Sequence, residues 1–266
     1  MKKVTVSSFA RRKAAGENIV MCTAYDAPFA KFALAAGIDM MLVGDSVGTT
    51  VLGFDSTLPV TMEDMIRHTQ AVRRGAPEAF LVADMPFMSY QSSLEEGIRN
   101  AGRLLKEAGA DSVKLEGGAE YAELVSKMVL SGIPVMGHIG LMPQSVQVLG
   151  GYKVQGRGDA AVAKLIADAK ALEAAGVFAI VLECVPEAAA AEVTKEVSVP
   201  TIGIGSGRHC SGQIQVLHDL LGLLDFKPKH AGRYAEIGEL VQQALKNYCD
   251  DVKNGTFPTD ENIFTK

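Results

Sequence analysis

The chain lacks two features that define large classes of protein. None of its apolar runs approaches the roughly 20 residues that a helix needs to cross a bilayer. Its formal net charge is −5 over 266 residues, and no concentrated basic stretch is present to neutralise nucleic-acid phosphates. We therefore expect no membrane span and no nucleic-acid partner. Arg11, Arg12 and Lys13 interrupt any signal-peptide apolar core, so the expected location is the cytoplasm.

Disulfide and zinc-binding patterns are also missing. The four cysteines, Cys22, Cys184, Cys210 and Cys249, lie far apart and form no CxxC pair. This favours reduced thiols in a cytosolic protein over a disulfide framework or a zinc knuckle. The histidines show no HExxH spacing, so we do not expect a zinc protease. Hydrophobic residues make up 48% of the chain, which is enough for a sizeable buried core.

A recurring pattern organises what is present: a helical stretch ends in Ala-Gly, and a short apolar strand follows and stops at an acid. It occurs around Gly37, Gly109 and Gly176. Glycine suits the left-handed position just past a helix end, so we interpret these glycines as helix stops. Asp26 and Thr61 are predicted to cap the helices that follow them.

Strands and helices alternate along the chain, which predicts a parallel sheet with right-handed crossovers. Eight strand candidates indicate a single closed (β/α)8 TIM barrel over residues 1–266, with an open doubly wound sheet as the alternative. No linker or composition shift marks a second domain. The predicted strands are 19–22, 40–45, 79–83, 112–116, 134–138, 178–183, 201–204 and 214–218, and the predicted helices are 27–36, 62–74, 92–108, 119–131, 160–175, 187–196 and 233–252.

Acidic residues follow four of the predicted strands. Asp45, Asp84, Glu116 and Glu183 follow the second, third, fourth and sixth strands, and His138 closes the fifth. Barrel active sites lie at the carboxyl ends of the strands, so we expect these side chains at one face. Crowded carboxylates repel one another unless a cation intervenes, and hard oxygen ligands suit Mg²⁺. The alternative, that the acids cap following helices, explains any one of them better than all four.

The fourth strand has a cation among these acids. Side chains alternate along a strand, so Lys114 and Glu116 share one face while Val113 and Leu115 share the other. The apolar pair is expected against the outer helices, which directs Lys114 into the barrel. A lysine there needs a partner. It forms either a structural ion pair with a neighbouring acid or a contact with an anionic substrate, and the residues alone favour neither.

Two glycine-rich segments are candidates for binding or lid loops. Residues 203–207 (GIGSG) follow the seventh strand, where many barrels bind phosphate through backbone N–H groups; the alternative is a tight turn. Residues 150–158 (GGYKVQGRG) belong to a long connection after the fifth strand. They form either a hinged lid with two cations or a solvated loop.

An ordered set of motifs closely resembles the ketopantoate hydroxymethyltransferase family, the first committed enzymes of pantothenate synthesis. The resemblance extends from about residue 5 to residue 260. The motifs are 43–46 (VGDS), 55–61 (DSTLPVT), 83–87 (ADMPF), 114–118 (KLEGG), 137–141 (GHIGL), 143–145 (PQS), 150–158 (GGYKVQGRG) and 182–186 (LECVP). Each motif is weak alone, but the ordered set is specific.

The resemblance implies a barrel of the phosphoenolpyruvate mutase-like superfamily and a reaction of 3-methyl-2-oxobutanoate with 5,10-methylenetetrahydrofolate. It implies that the products are 2-dehydropantoate and tetrahydrofolate, and that the protein is a homo-oligomer, commonly a decamer in the family. For the site, it implies Mg²⁺ held by Asp45, Asp84 and Glu116, oxo-acid binding by Asp45, Ser46, Asp84, Lys114 and His138, and Glu183 as the catalytic base.

Two rival functions are compatible with the same fold. One is a Mg²⁺-dependent C–C lyase of a 2-oxo acid in the same superfamily. Such lyases usually carry a Lys-Lys-Cys-Gly-His loop, and this chain has no such segment. The other is a non-catalytic barrel that binds an oxo acid. The presence of all four carboxylates together with Lys114 and His138 argues against it, because a degenerate enzyme is expected to have lost some of them.

Overall fold

The computed structural model describes residues 4–265, and the chain divides between Val216 and Leu217 into two compact units. The first contains a closed barrel of eight parallel strands in chain order, with the eighth paired to the first. The barrel interpretation is confirmed over the doubly wound sheet. The strands are β1 (Ile19–Thr23), β2 (Met40–Val43), β3 (Phe80–Asp84), β4 (Ser112–Glu116), β5 (Val135–Gly140), β6 (Ala179–Glu183), β7 (Thr201–Ile204) and β8 (Gly212–Gln215).

The α-helices of the described residues mostly follow the strands, as the sequence pattern predicts. They are α1 (Val6–Ala15), α2 (Ala27–Ala35), α3 (Val47–Thr50), α4 (Met62–Gly75), α5 (Leu94–Lys106), α6 (Ala122–Leu130), α7 (Val146–Leu149), α8 (Asp159–Ala175), α9 (Glu187–Glu196), α10 (Leu217–Leu220) and α11 (Ile237–Asn254). Between residues 4 and 265, no helix combines the length and the apolar character needed to cross a membrane.

The second unit, residues 217–265 of the described chain, contains α10 and α11. No residue of α11 is buried. All eight barrel strands lie in the first unit. The expectation of one barrel domain over residues 1–266 stays a prediction, and residues 1–3 and 266 of that range lie outside the described residues.

Local signals in the sequence set the helix ends. Gly37, Gly109 and Gly176 follow their helices at φ of 83°, 79° and 100°, which confirms them as left-handed helix stops. Asp26 Oδ1 accepts a hydrogen bond from the Phe29 N–H at 2.8 Å. Thr61 forms a reciprocal capping box at the start of α4. Both predicted N-caps are therefore confirmed.

The eighth strand lies earlier than predicted. It covers Gly212–Gln215 rather than 214–218, and Leu217 and His218 begin α10 instead. The prediction was wrong because it followed the apolar run, whereas the backbone pairing begins at a glycine. A Cβ on Gly212 would lie 2.3 Å from the Ile19 carbonyl oxygen, so β8 approaches β1 more closely than any side chain allows.

One end of the barrel is closed by an aromatic plug that the sequence pattern did not predict. Helix α1 places Phe9, which is fully buried, among the side chains that fill the barrel. Its ring packs edge-on against Phe80 at a centroid distance of 5.1 Å. Phe80 begins β3 and Asp84 ends it, so the plug lies at the amino-terminal end of the strands. The carboxyl-terminal end holds the polar side chains.

Candidate functional site

The predicted convergence of charged side chains at the carboxyl ends of the strands is confirmed. Asp84, Glu116 and Glu183 are the last residues of β3, β4 and β6, His138 lies in β5, and Asp45 follows β2. Asp45, Asp84, Glu116 and His138 are each buried. The Glu183 side chain is less buried than these four, with 18% of its surface exposed. The site is therefore a buried polar cluster with Glu183 toward its mouth.

Lys114 has protein partners inside this cluster. Its Nζ lies 2.8 Å from Asp84 Oδ1 and 3.2 Å from His138 Nδ1. Burial lowers the pKa of Lys114, but the surrounding carboxylates, Asp84 first, outweigh burial and raise the pKa above its usual value. The ammonium group is therefore charged at neutral pH. The ion-pair interpretation of Lys114 is confirmed, and its role toward a substrate stays a prediction.

His138 joins two of the carboxylates. Its Nδ1 lies 3.5 Å from Glu116 Oε1, and its Nε2 lies 3.2 Å from Glu183 Oε2. Burial and the Lys114 charge lower the pKa of His138, but the adjacent carboxylates of Glu116 and Glu183 outweigh them and raise it to about 9. His138 thus holds Glu183 beside the Lys114–Asp84 pair.

Asp45 and Asp84 are fixed relative to each other by the backbone. The Asp45 N–H donates to Asp84 Oδ2 at 3.0 Å. Burial raises the pKa of Asp45 to about 8, with the charges of Asp84 and Glu116 adding to the effect. Burial also raises the pKa of Asp84, against the attraction of Lys114. The two carboxyl groups therefore lie where negative charge is incompletely balanced.

Ser46 lies beside the same pair because Gly44 leaves room for it. A Cβ on Gly44 would lie 2.9 Å from Ser46 Oγ and 3.3 Å from Asp84 Oδ2. Ser46 Oγ also lies 2.8 Å from the hydroxyl oxygen of Tyr25. Tyr25 is buried, and burial raises its pKa to about 12, so it is a neutral hydroxyl group. The structure thus brings Ser46 to the site and adds Tyr25, which no sequence motif indicated.

The donor chemistry of the cluster fits a hard divalent cation. Its carboxylates outnumber its cationic side chains, Lys114 and His138. Mg²⁺ commonly takes one or two carboxylates plus water and substrate oxygens, which Asp45 and Asp84 are placed to complement. Within residues 4–265, no group of three or more His, Cys, Asp or Glu is arranged to hold a metal ion. The assignment of Asp45, Asp84 and Glu116 as ligands stays a prediction.

The residue directly after Glu183, Cys184, has an unusual backbone conformation. Cys184 has a φ of 49°, which a residue with a side chain rarely adopts. Its N–H donates to the Ile204 carbonyl oxygen at 2.8 Å, and its own carbonyl accepts from the Gln155 N–H at 2.9 Å. Burial raises the pKa of the Cys184 thiol to about 11, so it is not a thiolate nucleophile at neutral pH.

The glycine-rich segment 150–158 is attached to the site through Gln155 and Cys184. Tyr152 in this segment has a pKa raised by burial and then by the charge of Glu183, although 63% of its surface is exposed. Gly151, Gln155 and Gly156 are half-buried and the other residues of the segment are exposed, so the hinged lid and the solvated loop both stay predictions.

The second glycine-rich segment, 203–207, forms a tight turn. A Cβ on Gly207 would lie 2.5 Å from Glu187 Cγ. The following Arg208 N–H donates to Glu187 Oε1 at 3.3 Å. The buried Ser206 hydroxyl donates to the Leu182 carbonyl at 2.7 Å. The Glu187 carboxylate accepts a hydrogen bond at this turn, and the Ser206 hydroxyl donates inward to the backbone. Both contacts support a tight turn over a phosphate-binding loop.

The barrel mouth has a polar half and an apolar half. The charged side chains lie at the ends of β2 to β6, whereas β7 ends in Ile204, a residue of the interior apolar cluster. Ile204 is paired in register with Glu183, so the base candidate lies directly beside an apolar side chain. A bound molecule with an anionic end and a branched alkyl end matches this division.

Gly140 allows the end of β5 to pass close to Glu183. It has a φ of 98°, and a Cβ there would lie 2.4 Å from the Glu183 carbonyl oxygen. That oxygen accepts a hydrogen bond from the Leu141 N–H at 2.8 Å, which begins the loop toward residues 150–158. A side chain at position 140 would displace the backbone that carries Glu183.

Replacing Gly140 by Ala is expected to cost more stability than replacing Gly151 by Ala. Both residues have positive φ, 98° and 112°, but a Cβ on Gly151 meets nothing within 4 Å. Backbone strain costs each variant about 1–3 kcal/mol, and the Gly140 variant adds the contact with Glu183. Urea unfolding of the two proteins measures the difference. Equal losses would mean that the close approach at Gly140 is relieved without cost.

Comparisons with known proteins show which family the chain resembles. A family model described as ketopantoate hydroxymethyltransferase matches residues 3–260. The chain is 61% identical over 247 residues to the 3-methyl-2-oxobutanoate hydroxymethyltransferase of Pseudothermotoga lettingae, with 92% of this chain and 93% of that protein covered. It is 57% identical over 266 residues to the protein of the same name from Carboxydothermus hydrogenoformans, with 100% and 96% covered.

Solved structures share the fold at low sequence identity. A 2,3-dimethylmalate lyase, described as a PEP mutase/isocitrate lyase superfamily member, has a TM-score of 0.62 and 16% identity, with 97% of this chain and 91% of that chain covered. A phosphonopyruvate hydrolase complex with oxalate and Mg²⁺ has a TM-score of 0.62 and 13% identity, with 98% and 92% covered. These likenesses agree with the barrel fold, and membership of the phosphoenolpyruvate mutase-like superfamily stays a prediction.

Proposed function

The chain belongs to the ketopantoate hydroxymethyltransferase family, and we propose that it transfers a hydroxymethyl group from 5,10-methylenetetrahydrofolate to 3-methyl-2-oxobutanoate. The product is 2-dehydropantoate, a precursor in pantothenate biosynthesis. The protein is thus an enzyme, a hydroxymethyltransferase. The contact of Glu183 with the buried His138, Lys114 and Asp84 cluster is the observation that carries the mechanism.

The oxo acid is proposed to lie across the mouth, with its anionic end toward the polar half. Lys114 supplies positive charge there, while Ser46 and His138 supply hydrogen-bonding groups. Its branched alkyl end lies against Ile204, the interior apolar residue paired with Glu183. This orientation directs C3, the carbon between the two ends, toward the Glu183 carboxylate.

The proposed metal ligands are Asp45 and Asp84, with Glu116 beside them. When bound, Mg²⁺ supplies Lewis-acid polarisation of the 2-oxo group. The Lys114 ammonium, 2.8 Å from Asp84 Oδ1, balances part of the carboxylate charge and keeps Asp84 in place. Burial of the cluster strengthens each of these electrostatic contacts because little water screens them.

Glu183 is proposed to be the general base. Its carboxylate takes the proton from C3, and the contact of Oε2 with His138 Nε2 at 3.2 Å orients it. The electron pair left at C3 forms the new C–C bond to the methylene carbon of the folate, and both bonds from that carbon to the folate nitrogens break. One water supplies the hydroxyl oxygen, and the C3 proton and one proton of the water end on the two nitrogens of tetrahydrofolate. The backbone constraint at Cys184, with its φ of 49°, keeps Glu183 at the mouth rather than in the core.

The exposed face of α11 supports the expected homo-oligomer. Leu240, Val241, Leu245, Tyr248 and Val252 are exposed apolar residues of this helix. An apolar surface of this kind is typical of a protein–protein contact. We propose a homo-oligomer, and the expected location of the enzyme is the cytoplasm.

A labelled-transfer assay tests the proposed function. Purified protein is incubated with Mg²⁺, 3-methyl-2-oxobutanoate and folate that carries an isotopic label in its methylene carbon. Mass spectrometry should find the label in the hydroxymethyl group of 2-dehydropantoate. Label that stays on the folate, with the oxo acid unchanged, would contradict the proposal.

A further inference from the structure

Gln144 lies at the centre of the polar cluster without a role in the mechanism above. It belongs to the short 3₁₀ turn Pro143–Ser145 after β5, and its side chain is buried. We propose that Gln144 is a positioning residue that orients the carboxylates of Asp45 and Glu116. This inference rests on the proposed function, because it assigns those two carboxylates a role in the reaction.

Both the nitrogen and the oxygen of the Gln144 side-chain amide have hydrogen-bond partners. Its Nε2 donates to Asp45 Oδ2 at 2.8 Å and to the Met85 carbonyl oxygen at 2.9 Å. Its Oε1 lies 3.2 Å from the Tyr90 hydroxyl and 3.2 Å from Gln91 Nε2, both of which donate to it. A reversed amide would direct an oxygen at two acceptors, so only one orientation satisfies the four contacts. Asp45 Oδ2 is held by a donor that cannot rotate away.

The backbone of Gln144 holds the second carboxylate. Its N–H donates to Glu116 Oε2 at 3.0 Å. Tyr90 reinforces this contact, because its hydroxyl accepts from the Glu116 N–H at 3.1 Å and lies 2.9 Å from the Glu116 carbonyl oxygen. Gln144 therefore connects Asp45, which follows β2, to Glu116 at the end of β4.

Gln144 also connects these carboxylates to the loop that reaches Glu183. The chain continues from the turn through α7 to Gln155, whose N–H donates to the Cys184 carbonyl oxygen. Groups that hydrogen-bond to metal-binding side chains commonly contribute about 10–100-fold to metal affinity or activity. The Gln144 amide is placed to contribute in that way at Asp45.

The test compares Gln144→Met with Gln147→Met. Met keeps the length of Gln but removes both amide donors, and Gln147 is an exposed residue of the same loop. Mn²⁺ alone is the probe, and electron paramagnetic resonance measures its affinity for each protein. The Gln144 variant should bind Mn²⁺ about 10–100-fold more weakly, and the Gln147 variant should match wild type.

A second readout separates positioning from simple destabilisation. Exchange of the C3 proton of 3-methyl-2-oxobutanoate in D₂O gives kcat and KM for each variant. We expect KM for the oxo acid to rise more than kcat falls, since Glu183 itself is unchanged. Should Gln144→Met fail to fold, Gln144→Asn keeps the amide but is too short to reach Asp45, and it should show the same loss of Mn²⁺ affinity.

The possible outcomes distinguish failure of the Gln144 positioning role from failure of the proposed function. Wild-type affinity for Mn²⁺ and unchanged KM in a folded Gln144 variant would overturn the positioning role while leaving the proposed function intact. If wild-type protein neither binds Mn²⁺ nor exchanges the C3 proton, the proposed function fails, and the positioning role fails with it.

Discussion

Replacement of Glu183 by Gln is expected to reduce C3 proton exchange and product formation by about 10²–10⁴-fold, the usual contribution of a positioned general base. Gln has nearly the same shape as Glu, and its amide oxygen can still face His138 Nε2 as the carboxylate does at 3.2 Å. It cannot accept the C3 proton. We therefore expect near-normal affinity for the oxo acid and for Mn²⁺ in this variant.

Glu187→Gln is the matched control for that experiment. Glu187 begins α9, four residues after Glu183, and pairs at the surface with Arg208 at 2.8 Å. It should exchange the C3 proton at close to the wild-type rate. Loss of Mn²⁺ affinity in Glu183→Gln, with exchange retained, would argue that Glu183 binds the metal and that the base is another carboxylate, Glu116 first.

Replacement of Lys114 by Met is expected to destabilise the metal-free protein by about 3–5 kcal/mol, the usual cost of leaving one member of a buried ion pair alone. Lys114 is 5% exposed and Asp84 is 3% exposed, and their charged atoms lie 2.8 Å apart. Without the ammonium group, the Asp84 carboxylate would be left buried without its cationic partner. Urea unfolding in the presence of EDTA measures the loss.

Two further variants identify the cause of that loss. Lys164→Met removes the Lys164–Asp168 pair on α8, where the lysine is 69% exposed, so the expected cost is only about 0–1 kcal/mol. Adding Asp84→Asn to Lys114→Met should recover part of the stability, because the unpaired charge is then removed. Equal losses for the Lys114 and Lys164 variants would show that the buried pair makes no special contribution.

The barrel and the location of the site follow from short-range signals in the sequence. Glycine stops at Gly37, Gly109 and Gly176, together with strands that end in acids, predict the order of elements and therefore the face that holds Asp84 and Glu183. The alternation of side chains along β4 predicts the inward direction of Lys114. Each of these signals depends on residues only a few positions apart, which is why the sequence alone reveals them.

The partners of the site residues depend on contacts that no local pattern encodes. Lys114 pairs with Asp84, 30 positions away, and Gln144 reaches Asp45, 99 positions away. In the sequence, Gln144 is indicated only as part of the motif 143–145, without a role of its own. Tyr25 and Tyr90 gave no signal, because an isolated tyrosine in a loop is as often a packing residue as a hydrogen-bonding one.

The most direct measurement of the central claim is a proton NMR time course in D₂O with purified enzyme, 3-methyl-2-oxobutanoate, 5,10-methylenetetrahydrofolate and Mg²⁺. A parallel sample contains EDTA. We expect loss of the C3 proton signal and growth of the 2-dehydropantoate signals, with both stopped by EDTA. Neither exchange nor product from folded, metal-loaded protein would contradict the account, and exchange without product would contradict its one-carbon donor.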